Sequence, residues 1–142
     1  MPFPSVLSIV TLGVADLPRS VAFYTALGWR HSSASSDAIS WFDLGGCALG
    51  LFPRDELAAD VGVPDGPGGF GGITLAINVP TEAQVDEALA DAERAGGTIV
   101  KQGTRAEWGG YSGYFVDPDG NYWEIAMNPG FELRDDGSLV LP

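Results

Sequence analysis

Two segments of this 142-residue chain share one short pattern, and this internal repeat constrains the fold more than any other feature. Val10–Val14 (VTLGV) and Ile73–Ile77 (ITLAI) are both rich in β-branched residues, and both precede a helix signal. Segments of this composition predict β-strands, and self-similarity along a chain indicates a duplicated structural unit. The sequence therefore predicts two similar modules.

Each repeated strand is followed by a predicted helix with its own start and stop signals. In the first module, Asp16 is the predicted N-cap and Pro18 suits the first turn. In the second, Thr81 and Gln84 have the spacing of a capping box, and Gly96–Gly97 ends the helix. Apolar residues recur on one face of each helix, namely Val21, Tyr24 and Leu27 in the first and Val85, Leu89 and Ala92 in the second.

Three short strands are predicted after each helix, so each module has the order βαβββ. Gly45–Gly46 predicts a tight hairpin in the first module, and Asp117–Gly120 predicts a turn in the second. The predicted strands are Trp29–Ser32, Ile39–Leu44 and Cys47–Phe52 in the first module, and Thr98–Lys101, Tyr111–Val116 and Tyr122–Met127 in the second.

These elements predict an α+β fold of two tandem βαβββ modules. Each helix covers one face of its sheet, so the two bare faces can curl around a shared central cleft. We expect a single domain over residues 1–142, made of module one (about 7–53), a connector (about 54–71), module two (about 72–128) and a C-terminal tail (129–142).

Charge and composition exclude several classes of function. The formal net charge of −12 disfavours nucleic acid and anionic lipid as partners, because both need clustered Lys and Arg. A single Cys (Cys47) and a single His (His31) exclude a Cys-rich zinc site and a multi-His cluster within one chain. We find no apolar run of membrane-helix length and no secretion signal, so we expect a cytoplasmic protein without a membrane partner.

Two motifs in the right order resemble the vicinal oxygen chelate superfamily. Val14–Gly28 resembles its first module and Gly113–Ile125 resembles its last hairpin, and the resemblance covers about residues 8–128. This superfamily includes glyoxalase I, extradiol dioxygenases, fosfomycin-resistance enzymes and bleomycin-binding resistance proteins. Because its members do unrelated chemistry on one scaffold, the resemblance implies the fold more strongly than a reaction.

The resemblance also implies four positions for the ligands of a divalent metal. Glu124 stands at the last-strand position of module two. The other three positions fall on Ile9, on or next to Gly50, and on Gly72, with Ile77 as the alternative if the register shifts. These residues have no metal-ligating side chain, and one carboxylate does not hold such an ion tightly. We therefore predict no metal and no other cofactor.

Strand alternation predicts which side chains line the cleft. Glu124 is the candidate catalytic residue, and Trp41 is assigned to the core. Small residues leave volume open, and aromatic rings give flat walls for a planar or cationic guest. The predicted ligand-binding residues are Thr11, Phe52, Thr74, Trp108, Tyr114, Tyr122 and Glu124.

Three functions stay open. The first is a metal-free protein similar to the bleomycin-resistance branch, which binds a small cationic or aromatic molecule in the cleft and is favoured by the negative charge. The second is a metal-dependent lyase or dioxygenase that uses Glu124 and ligands from elsewhere, and the third is a metal-free isomerase or hydrolase with Glu124 as base. Family members commonly pair, and the apolar tail residues also favour a homodimer, namely Phe131, Leu133, Leu139 and Leu141.

Overall fold

The polypeptide divides into two compact units, Met1–Pro67 and Gly68–Pro142, and the boundary falls within the predicted connector. Both units combine helices with a β-sheet, so the predicted α+β class is confirmed. No helix among the described residues is long and apolar enough to cross a membrane. The computed structural model describes residue 7 and residues 9–61, 64–66, 73–107 and 109–140.

The first unit contains a three-stranded sheet in the order β1-β3-β2. The middle strand β3 runs parallel to β1 and antiparallel to β2. A parallel pair needs a crossover connection, and α1 supplies part of it and contacts β3. The elements are β1 (Ile9–Val14), α1 (Leu17–Ala26), β2 (Ser40–Asp43), β3 (Ala48–Pro53) and α2 (Arg54–Val61).

Helix α1 starts where its capping residue predicts. The carboxylate of Asp16 accepts a hydrogen bond from the backbone N–H of Arg19 at 3.1 Å, and a proline lies in the first turn. The buried face differs from the predicted one, because Val21 and Leu27 are only half-buried. Tyr24 is fully buried as expected, and the rest of the face is Leu17, Ser20 and Phe23.

The predicted strand Trp29–Ser32 is wrong, because only an isolated bridge between His31 and Phe42 forms there. The ring of Trp29 stacks on Tyr24, with centroids 5.3 Å apart, and the Tyr24 ring also packs against Phe42 at 6.0 Å. This aromatic packing holds Trp29 beside the helix rather than along the edge of the sheet. The aromatic residue Trp29, which favours a strand by its composition, packs against the buried Tyr24 ring instead.

The connector contains a helix, α2, that the sequence analysis did not predict. Asp55 and Glu56 lie in its first turn, where negative charge is favourable. The helix contacts β1 and β3, and a Cβ at Gly13 would lie only 3.2 Å from the Cα of Arg54. The start of α2 therefore covers one end of the strand face that was expected to be open.

The second unit repeats the topology of the first, with a four-stranded sheet in the order β4-β7-β6-β5. Strand β4 runs parallel to β7, and the other neighbours are antiparallel. Within the predicted C-terminal tail, the residues form a small hairpin, β8–β9. The elements are β4 (Leu75–Asn78), α3 (Glu82–Arg94), β5 (Thr98–Arg105), β6 (Tyr111–Val116), β7 (Tyr122–Met127), β8 (Glu132–Leu133) and β9 (Leu139–Val140).

Helix α3 has the predicted boundaries and the predicted buried face. The hydroxyl of Thr81 accepts from the backbone N–H of Gln84 at 3.1 Å, and Gly96 follows the helix with φ of +111°. Val85, Leu89 and Ala92 are buried as expected. They face the sheet residues Phe115, Trp123 and Ile125, of which Phe115 and Trp123 stack with centroids 6.3 Å apart.

The turn between β6 and β7 is held by Asp117, whose side chain is buried. Its Oδ1 accepts hydrogen bonds from the backbone N–H groups of Asp119 and Asn121, each at 2.9 Å. Its Oδ2 accepts from the side-chain amide of Asn121 at 2.7 Å. Gly120 takes a φ of +83°, which favours glycine. The predicted turn is confirmed, and it fixes the register of the β6–β7 hairpin.

Gly113→Ala tests the close packing of α3 on β6. A Cβ at Gly113 would lie 2.6 Å from Leu89 Cδ1 and 2.7 Å from the carbonyl oxygen of Lys101, and the backbone oxygen has little room to move. We expect the substitution to lower the free energy of unfolding by about 1–3 kcal/mol in urea denaturation. Gly46→Ala is the control, because nothing lies within 4 Å of a Cβ there. Equal stability of the two variants would contradict this packing.

Candidate functional site

The face of the second sheet away from α3 carries a row of cross-strand neighbours. Tyr114 on β6 lies directly opposite Glu124 on β7, and Ala76 on β4 lies opposite Glu124 on its other side. Tyr122 shares this face because it stands two residues before Glu124 on the same strand. The residues on either side of Glu124, Trp123 and Ile125, are buried. The sheet therefore brings Tyr114, Tyr122 and Glu124 together, half-buried and accessible to a guest.

Tyr114 and Glu124 are directly opposite neighbours across the β6–β7 pair, so the phenol lies beside the carboxylate. Burial raises the pKa of the Tyr114 phenol above its usual value, and hydrogen bonding to Glu124 and the negative charge of Glu124 raise it further. Tyr114 therefore stays a neutral hydrogen-bond donor at neutral pH. A carboxylate has about four lone-pair sites, so Glu124 can accept further hydrogen bonds from a guest.

Lys101 joins this row, although the sequence analysis did not include it among the site residues. Its position on β5 lies opposite Tyr114, so the row across the sheet reads Lys101, Tyr114, Glu124. The register shifts between Ile99 and Lys101, and sequence patterns do not reveal such a shift. The signal available in the sequence was that this chain contains only one lysine.

The first sheet also has a face that α1 does not cover. Thr11, Gly50 and Trp41 are in register across β1, β3 and β2, and Phe52 follows on the same side of β3. The assignment of Trp41 to the core is wrong, because it lies on this face and on the edge strand β2. A Cβ at Gly50 would lie 2.6 Å from Trp41 Cζ3 and 3.3 Å from Thr11 Oγ1. The indole ring therefore packs directly over Gly50.

An open depression is present among the described residues of each unit. That of the first unit has a volume of about 400 Å³, and its lining includes Trp41, Cys47 and Ala48. That of the second unit, about 450 Å³, lies at the C-terminal ends of β4 and β7 beside the β8–β9 hairpin. Glu124 does not line the second depression, so this depression is separate from the face that carries the candidate carboxylate.

The donors at the expected metal positions do not fit a divalent ion. In the first unit, Ile9 is an exposed aliphatic residue and Gly50 is covered by Trp41, so a ligating side chain at Gly50 would need Trp41 to move. In the second unit, Ile77, the alternative position, is aliphatic too. Within the described ranges, no group of three or more His, Cys, Asp and Glu side chains lies close enough to hold a metal. Glu124 alone lacks the partner ligands that such sites need.

One predicted binding residue, Thr74, falls just outside the second sheet. Thr74 is exposed and comes just before β4, which begins two residues later than the predicted strand. Trp108 lies outside the described residues, and so does Gly72, the expected metal position at the start of module two. The ligand-binding roles of Thr74 and Trp108 stay predictions.

Comparisons with known proteins agree with this fold. The family model "Glyoxalase/Bleomycin resistance protein/Dioxygenase superfamily" matches residues 6–125. A glyoxalase-related enzyme from Fulvimarina pelagi is 33% identical, with a TM-score of 0.87 over 97% of this chain and 99% of that chain. A lactoylglutathione lyase from Agrobacterium tumefaciens is 27% identical, with a TM-score of 0.67 over 88% of this chain and 95% of that one.

A third solved structure, a glyoxalase/bleomycin resistance protein/dioxygenase family enzyme from Burkholderia phytofirmans PsJN, is 25% identical. Its TM-score is 0.72 over 87% of this chain and 98% of that chain. The relatives are therefore similar to this chain over nearly their whole length.

Glu124→Gln tests the Tyr114–Glu124 pair. The substitution removes the negative charge and leaves only a neutral amide oxygen as the acceptor, so it weakens both contributions of Glu124, and we expect the pKa of Tyr114 to fall towards the ordinary value of tyrosine. Tyrosine titration by NMR, with Tyr114 assigned, measures the change. A tyrosine whose pKa is raised by folding contributes stability that is fully present below its unfolded pKa. This stability is lost as the pH rises through the folded pKa, so E124Q should also reduce the loss of stability at alkaline pH.

Asp86→Asn is the matched control. The phenol of Tyr111 donates a hydrogen bond to Asp86 Oδ1 at 2.7 Å, and this bond, with desolvation and the nearby charge, raises the pKa of Tyr111. The control should lower the pKa of Tyr111 and leave that of Tyr114 unchanged. A Tyr114 pKa that does not respond to E124Q would contradict the pairing.

Proposed function

The chain belongs to the Glyoxalase/Bleomycin resistance protein/Dioxygenase superfamily, and on that premise we propose that it binds a small cationic or aromatic molecule without a tightly held metal. The observation that carries the proposal is the half-buried Tyr114–Glu124 pair on the open face of the second sheet.

The open face offers the two kinds of contact that such a guest needs. The carboxylate of Glu124 is negatively charged, so an ammonium or amidinium group can donate hydrogen bonds to it. The rings of Tyr114 and Tyr122 offer faces for stacking or for a cation–π contact. Ala76 shares this face and is exposed, so its small side chain leaves space above the sheet beside Glu124. The net charge of −12 attracts a cation over longer distances.

The open face of the first unit also supports the binding of an aromatic molecule. Trp41 exposes part of its indole ring beside the depression of about 400 Å³. Thr11 and Phe52 lie on the same side of the sheet. We propose these side chains as further contacts for a planar guest, together with Thr74 and Trp108. The shared central cleft stays a prediction from the repeat.

Metal-independent binding is supported by the residues at the family's ligand positions. Aliphatic or glycine residues stand where ligands are expected, and the Trp41 ring occupies the space above Gly50. Binding through aromatic walls and one carboxylate needs no Lewis acid. The proposal therefore assigns Glu124 to the guest rather than to an ion.

A metal-dependent lyase is the second candidate, because one of the similar structures is a lactoylglutathione lyase and Glu124 retains a carboxylate at the matching position. It requires ligands from residues outside the described ranges or from a second chain. A metal-free isomerase or hydrolase, with Glu124 as base, is the third. We also propose a cytoplasmic homodimer, with Phe131, Leu133 and Leu139 as candidate contacts, for which the mass in solution is the test.

Isothermal titration against a panel of cationic aromatic compounds, including glycopeptide antibiotics of the bleomycin type, tests the first candidate. We expect at least one compound to bind, and Glu124→Gln to weaken it about 10-fold or more, because a charge-assisted hydrogen bond is lost. Glu93→Gln, on the exposed side of α3, makes the same change in net charge and should leave the affinity unchanged.

Two results would redirect the proposal. If no compound in the panel gives measurable binding, the proposed binding of cationic aromatic guests is contradicted. Turnover of a bound compound that Glu124→Gln abolishes, with the affinity intact, would identify Glu124 as a base and favour the isomerase or hydrolase.

A further inference from the structure

We infer that Lys101 anchors an anionic group of the guest, so that the open face of the second sheet selects an amphoteric molecule. The inference rests on the proposed function, and it deepens it by naming the class of ligand. Lys101, Tyr114 and Glu124 occupy three adjacent strands in one row, with the lysine and the carboxylate at its two ends.

An irregularity in β5 is what brings Lys101 to this face. Thr98 pairs with Val116 and Ile99 with Phe115, and an unbroken register would continue with Val100 opposite Tyr114. Lys101 would then lie opposite Gly113, on the face that packs against Leu89 of α3. The register shift after Ile99 instead places Lys101 opposite Tyr114. Such bulges commonly re-aim a side chain next to a functional site.

The charge of Lys101 is available to a ligand. Other basic side chains are engaged in ion pairs with Asp or Glu, namely Arg30, Arg54, Arg94 and Arg105. The ammonium of Lys101 is exposed, and it forms no ion pair or hydrogen bond within the part of the chain that the structure describes. The hydroxyl of Ser112, half-buried and diagonal to Lys101 across β5–β6, is a second donor within reach of the same group.

The spacing of the two charges defines the guest. Lys101 and Glu124 are two strands apart, which corresponds to about 10 Å between their backbones. Tyr114 stands between them in the row, so a rigid aromatic molecule with an anionic end and a cationic end matches the spacing. A purely anionic guest is disfavoured by the net charge of −12, whereas an amphoteric guest has no net charge to be repelled.

The test compares 4-(aminomethyl)benzoate with its methyl ester, which keeps the ammonium and the ring but removes the negative charge. Binding is followed by NMR chemical-shift changes of the β5, β6 and β7 amides during titration at millimolar concentrations. We expect the acid to bind about 2- to 5-fold more tightly than the ester, the range that an exposed ion pair contributes. Lys101→Met should bring the acid to the affinity of the ester and leave the ester unchanged.

Arg94→Met is the matched control, since it removes one positive charge from the exposed side of α3 and should preserve the difference between acid and ester. Equal binding of acid and ester to the wild type, or a difference that survives Lys101→Met, overturns the role of Lys101 and leaves the proposed function intact. If neither compound shifts the amides of these strands, no guest occupies this face. That result overturns both the role of Lys101 and the proposed function.

Discussion

In the main sheet of each unit, the first strand along the chain pairs in parallel with the last, and this pairing is the constraint on which the rest of the structure depends. A parallel pair cannot be closed by a tight turn, so the chain must cross over between β1 and β3 and between β4 and β7. The crossover helices α1 and α3 cover one face of each sheet. The other face is available in the second sheet, and in the first sheet α2 covers one end of it. The buried face carries the aromatic and aliphatic core, and the available face carries the polar row of Tyr114 and Glu124.

Residues that act through local chemistry were predictable from the sequence. Asp16 and Thr81 cap their helices as expected, and the Asp117 turn gives β6 and β7 the predicted bounds. The alternation along β7 placed Glu124 and Tyr122 on one face because the strand is regular. The family was also predictable, because both of its motifs lie in regular elements, and the family match confirms it.

Features that depend on contacts between distant residues were not predictable. Trp29 has strand composition, but its stacking on Tyr24 replaces strand pairing. Trp41 lies on the open face because the β2–β3 hairpin pairs it with Gly50, and the absent Cβ leaves room for its ring. The short loop between β2 and β3 would have allowed the pairing of Trp41 with Gly50 to be predicted. The register shift that turns Lys101 to this face was not predictable, since no residue pattern in β5 marks it.

Under the proposed function, the open faces of the two sheets keep the fold of the family without its metal. Glycine and aliphatic residues stand at three of the expected ligand positions, and in the first unit an aromatic ring packs over Gly50. In the second unit, one carboxylate lies opposite Tyr114. Glu124 is then a group that a guest can use directly.

The most direct test of this account is the metal content of the protein, purified without chelator, measured together with guest affinity before and after treatment with a strong chelator. The account predicts far less than one equivalent of Ni, Zn, Fe or Mn per chain, and an affinity that the chelator leaves unchanged. One equivalent of metal, together with loss of binding on its removal, would contradict it.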